Sequence, residues 1–75
     1  MPQLPVLKAK EVLRVLLNAG FYIHHQAGSH ARLFHPTKTE LRVTIPIHNK
    51  ELPPKTLKSI IRQAGYTVEE LLKLL

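Results

Sequence analysis

The hydrophobic period of the chain changes twice. Ala9, Val12, Leu13, Leu16 and Leu17 recur at i, i+3, i+4, i+7 and i+8, the apolar stripe of an α-helix. Lys8, Lys10, Glu11 and Arg14 fall outside that stripe. Gly20 follows as the left-handed residue that ends the helix. From Phe21 the period drops to two. In "FYIHHQ" Phe21 and Ile23 point one way, and Tyr22, His24 and Gln26 the other. "AGS" has the length and composition of a hairpin loop. In "HARLFH" Ala31 and Leu33 share a face opposite His30, Arg32 and Phe34. "PTKTE" is a turn. In "LRVTIPI" Leu41, Val43, Ile45 and Ile47 oppose Arg42, Thr44 and Pro46. Pro46 has no N–H to give a ladder, so it belongs at an edge or near the strand's end.

Helical spacing then returns. The prolines of "HNKELPP" are tolerated where a helix begins. Leu57, Ile60, Ile61 and Ala64 form a stripe with Lys55, Lys58 and Arg62 on the other side. Gly65 ends it. Thr67 and Glu70 then make a capping box for a short last helix. The predicted fold class is α+β, one domain over residues 1–75: α-β-β-β-α, a three-stranded antiparallel sheet with helices on one face, and a short C-terminal helix. The helices should cover the face carrying Phe21, Ile23, Leu33, Val43 and Ile45. The other face should stay open and carry Tyr22, His24, Gln26, His30, Arg32, Phe34, Arg42 and Thr44. A slip of one residue would invert this assignment.

Composition sharpens the picture. The 75 residues carry a net charge of +6 and no cysteine. The charge is uneven: residues 1–66 hold ten Lys/Arg against three Glu, whereas Lys73 faces Glu69 and Glu70 in the last nine. A basic body suits a polyanion, nucleic acid first. The absence of cysteine excludes disulfides and fits the cytoplasm. No apolar run reaches the ~18 residues of a membrane span, so no membrane partner is expected.

Four of the five histidines lie in "HHQAGSHARLFHP", His24–Pro36. A two-metal nuclease needs clustered carboxylates, and zinc needs three or four converging ligands. The chain has no Asp, its five Glu are scattered, and His24 and His25, adjacent on a strand, should face opposite ways. Neither a metal nor another cofactor is expected. A Ser-His hydrolase is a weaker reading still, because Ser29 and His30 are adjacent, the wrong geometry for a triad, and no acid orients the imidazole. Acid–base chemistry on RNA is one reading of the Gly-Ser-His turn. Gly28 permits close approach of a ligand to the main chain. Ser29 can donate to a phosphate oxygen. The His30 imidazole can take a proton from a 2′-hydroxyl or give one to a leaving 5′-oxygen. Arg32 and Arg42 can hold phosphates, and Tyr22 and Phe34 can stack an unpaired base. Common turn chemistry and ordinary strand preference would account for the same residues without any activity.

These segments, taken together, resemble a known family. "KEVLRVLLNAGF" (10–21), "QAGSHARLFHP" (26–36), "VTIPIHNKEL" (43–52) and "TLKSIIRQAGYTVEELL" (56–72) are similar, in this order, to the HicA (YcfA-like) mRNA interferase toxins. The resemblance implies a fold like the double-stranded-RNA-binding domain. It implies that His30 is the catalytic residue, with Gly28 and Ser29 shaping its site. It implies cleavage of mRNA and neutralisation by a HicB-type antitoxin. Tyr22, His24, Arg32 and Arg42 are the accompanying candidates for RNA contact. His48 matches a recurring family position without a clear role. "LKAK" (7–10) and "LPP" (52–54) depart from the family's usual helix starts. The rival readings are an RNA-binding module that does not cut, and an adaptor that serves only its partner.

Overall fold

The computed structural model describes residues 3–75. Along the chain run α1 (Ala9–Asn18), β1 (Tyr22–Ala27), β2 (His30–Phe34), β3 (Arg42–Pro46), α2 (Pro54–Gln63) and α3 (Val68–Leu74). The strands form one antiparallel sheet in the order β1-β2-β3. This is the expected α+β order of a double-stranded-RNA-binding-domain-like fold.

The core lies between the sheet and the helices. Ala31, Leu33, Val43 and Ile45 are fully buried, and Ala31 pairs with Ile45 and Leu33 with Val43. Leu57, Ile60, Ile61 and Ala64 of the α2 segment close over them, as their spacing foretells. The α1 stripe is rotated from its expected position. Ala9, Val12 and Leu16 are buried, but the next buried position is Val15, and Leu17 is 40% exposed. The reason is that α1 packs toward β3 rather than β1, which turns the Val15 flank inward. Gly20, at φ +105°, ends this segment, and a Cβ there would come within 3.2 Å of the His35 ring. Chain reversal and crowding both require glycine here.

His35 is a structural residue. Its ring meets Phe21 edge-on at 5.0 Å. Its Nδ1 accepts from the backbone N–H of Thr37 and Lys38 and faces the Thr37 hydroxyl at 3.2 Å. The N-terminal segment is also tied in, which the periodicity did not foretell. The Leu52 N–H donates to the Leu7 carbonyl at 2.8 Å, and both side chains are buried. In α3 the predicted capping box is present. The Glu70 N–H donates to Thr67 Oγ1, and the Glu70 carboxylate accepts from the Thr67 N–H. Those bonds, the backbone one foremost, hold the Glu70 carboxyl below its ordinary value.

The two edges of the sheet differ. On β3 the Thr44 N–H donates to Gln63 Oε1 of α2 at 3.0 Å, and Gln63 is held in turn by Ser59. Pro46 closes the strand's end opposite His30. The β3 edge is thereby blunted against further pairing. Every residue of β1, by contrast, is exposed. Ile23, expected in the core, lies opposite Leu33 yet is 41% exposed, because the helices cover β2 and β3 and stop short of β1.

Candidate functional site

The hairpin between β1 and β2 is the tightest turn of the sheet. Ala27 pairs with His30, leaving only Gly28 and Ser29 between them. Gly28 has φ +56°, and nothing lies within 4 Å of where its Cβ would be. Glycine is required here by the backbone rather than by crowding, and the main chain above it is open. The Ser29 carbonyl accepts the Ile47 N–H, which fixes the turn to the end of β3. His30 therefore starts β2 at a rigid lip, exposed, with Ala27 and Pro46 as its cross-strand neighbours. Neither neighbour's side chain can compete for the imidazole.

The open face has two ends. Near the turn, Arg32 follows His30 on the same face and lies between His25 and Thr44. At the far end, roughly 13 Å along β2 at the usual strand rise, Phe34 lies between Tyr22 and Arg42. The His24 ring stacks on Phe34 at 4.0 Å and 8°. Tyr22 meets it edge-on at 6.5 Å, and the Arg42 guanidinium stands 5.3 Å from its centroid. The structure thus groups Gly28, Ser29 and Arg32 with His30, and it places Tyr22, His24 and Arg42 around Phe34. Phe34 is half-buried under His24, so Tyr22 and His24 are the rings that face outward.

One part of the strand reading is corrected. The β1–β2 register shifts between Ile23 and His25, so His24 and His25 both stand opposite Arg32. This is a β-bulge, and it reverses the side-chain parity beyond it. His25, assigned to the helix side by strict alternation, comes to the open face beside Arg32. Gln26, assigned to the open face, pairs with buried Ala31 and faces the helix side. His25 is then a diagonal neighbour of His30, at about 7–8 Å between backbones. His48 lies two residues beyond Pro46, exposed, with its Nδ1 accepting from the Lys50 N–H at 3.2 Å. Among the described residues no group of three or more His, Asp or Glu side chains is placed to hold a metal ion. No helix of the described residues is long and apolar enough to cross a membrane.

Fold and surface define a class: a small basic α+β domain whose uncovered sheet face carries imidazole, guanidinium and aromatic groups around a Gly-Ser-His turn. The sequence profile of the HicA toxin of bacterial toxin–antitoxin systems matches residues 9–66, and the chain belongs to that family. It is accordingly the toxin of a toxin–antitoxin pair, with an antitoxin as partner. No curated protein matches the chain.

Proposed function

We propose that this toxin is a metal-independent endoribonuclease that cleaves mRNA, with His30 as its acid–base group. The observation that carries the reading is the exposed His30 imidazole at the lip of the Gly28–Ser29 turn, with Arg32 next on the same open face. A phosphodiester laid along β2 would meet Arg32 as a phosphate clamp and the Ser29 hydroxyl as a donor. His30 would lie at the reacting sugar–phosphate edge. The 2′-oxygen attacks phosphorus as its proton leaves for a base, and the P–O5′ bond breaks as the 5′-oxygen gains a proton. His30 serves one of these transfers. The products are a 2′,3′-cyclic phosphate and a 5′-hydroxyl. His25 and His24 add further imidazoles able to donate to phosphate oxygens. A single-stranded substrate fits best, since Tyr22 and His24 present outward-facing rings to unpaired bases.

A HicB-type antitoxin would neutralise the toxin by covering this face. Acidic groups opposite Arg32 and Arg42 would supply complementarity. The second reading, an RNA-binding module without cleavage, is favoured by the Phe34 cluster alone, which could hold RNA without any proton transfer. Incubating the pure protein with RNA, with and without EDTA, separates the two. Cleavage that persists in EDTA, leaves cyclic phosphate ends and spares a substrate with 2′-deoxyribose at the scissile position is expected. Cleavage of that deoxy substrate, or complete inhibition by EDTA, would sink the mechanism.

A further inference from the structure

Behind the sheet lies a second cationic surface that the His30 chemistry does not use. Lys55, Lys58 and Arg62 recur at i, i+3 and i+7 on α2, one face of the helix, opposite its buried Leu57, Ile60 and Ile61. The helix has no Asp or Glu. The three cations line an open groove of about 550 Å³ between α2 and α3, with Tyr66, Ile61 and Val68 among its apolar lining. No carboxylate lines it. Glu70, at the start of α3, is committed to the capping box with Thr67. Three like charges held on one short helix face repel each other unless an anion lies between them. Cations spread over about 10 Å along one helix match successive phosphates of a chain better than a single small anion.

Its direction is fixed by the fold. Gln63, at the end of α2, bonds to Thr44, and Gly65 just beyond lies against Leu41, so α2 runs antiparallel to β3. The start of α2, with Lys55, therefore lies toward the end of the sheet where Ile47 bonds to Ser29, the His30 end. We infer that the α2–α3 groove binds the sugar–phosphate backbone of the RNA substrate several nucleotides away from the cleaved bond. The RNA passes round the hairpin end of the sheet to reach it. This inference rests on the ribonuclease reading and adds a second, separate contact surface to it.

The test compares the wild-type protein with the triple variant Lys55→Gln, Lys58→Gln, Arg62→Gln. All three side chains are exposed, and matching thermal melts confirm that the variant folds. Two substrates are used: a long single-stranded RNA and an oligonucleotide that just spans the scissile bond. Binding is measured against salt in a His30→Ala background to prevent cutting. Each lost phosphate contact lowers the log–log salt slope by about 0.7, so the triple variant should lose about 2 on the long RNA. The lower KM of long RNA over the short oligonucleotide should disappear as well. An unchanged salt slope on long RNA overturns the inference. So does a variant that keeps its RNA slope but no longer binds antitoxin, which would assign the groove to the protein partner. An equal loss on neutralising Lys10 and Arg14 of α1 would show that net charge, not the groove, sets affinity, and overturns it too. If the wild type neither binds nor cuts RNA, the ribonuclease reading falls first and the groove assignment with it.

Discussion

Successive residues of β2 have opposite fates. Ala31 and Leu33 are fully buried under the helices, whereas His30 and Arg32 stand in solvent one peptide away on the other side. The helical side of the sheet has what burial supplies: apolar contact, closed packing and an edge satisfied by Gln63. The open side has little buried area and a row of groups with donors, acceptors and charge. Stability and chemistry are thus divided between the two faces of the same strands. A substitution on one side should leave the other nearly untouched, and that separation can be measured.

The largest effect is expected at His30. His30→Ala removes an acid–base group typically worth 10²- to 10⁴-fold in rate, so cleavage and growth arrest on induction should both be lost. Its stability should change by no more than about 1 kcal/mol, because an exposed imidazole leaves no core cavity. Antitoxin should still co-purify with it. A variant that stays toxic removes His30 from the mechanism, and one that unfolds breaks the division between faces. Leu33→Ala is the mirror experiment. It empties a fully buried site and should cost about 2–5 kcal/mol in urea unfolding, while the fraction that remains folded cleaves at the wild-type rate. The smallest effects belong to Arg32→Ala and Arg42→Ala. Each should flatten the salt dependence of single-stranded RNA binding by about 0.7 on a log–log scale, with melting temperature unchanged. Affinity that is insensitive to salt in the wild type would favour the adaptor reading.

Most of the fold was legible because each element repeats its own period several times. The α2 stripe Leu57, Ile60, Ile61 and Ala64 and the β3 alternation of Val43 and Ile45 both reach the core as spaced. Leu17 and Ile23 were misplaced for a shared reason. Periodicity gives a direction for an apolar face but not the width of the layer that covers it, and here the helices end before β1. The bulge was hidden in a parity count. Tyr22 opposite Phe34 and Ala27 opposite His30 are five steps apart on β1 and four on β2. Strict alternation cannot satisfy both pairs, so one residue must be extra. Had the two-residue turn been assumed, the adjacent His24 and His25 would have marked the place. The Leu7–Leu52 tie left no trace in either pattern, since it rests on one backbone bond between distant segments. In the site, a Gly-containing hairpin loop just ahead of His30 was readable from the pattern, and it was the family resemblance that singled out His30 itself. The engagement of Phe34 by His24 was not readable, because it depends on the bulge.

Each strand of this sheet pairs only with its neighbour in sequence, and the β1–β2 hairpin closes over two residues. Short loops cost little entropy to close, and chains dominated by such local pairings find their native arrangement quickly. The β-sheet can therefore assemble outward from the Gly28–Ser29 turn, with β3 and α2 added in the order of synthesis. Outside the sheet, the bond that ties Leu7 to Leu52 closes a much longer loop, and its closure entropy is correspondingly larger. The local sequence therefore holds most of the pairing information of the sheet, whereas the anchoring of the N-terminal segment joins residues far apart in the chain.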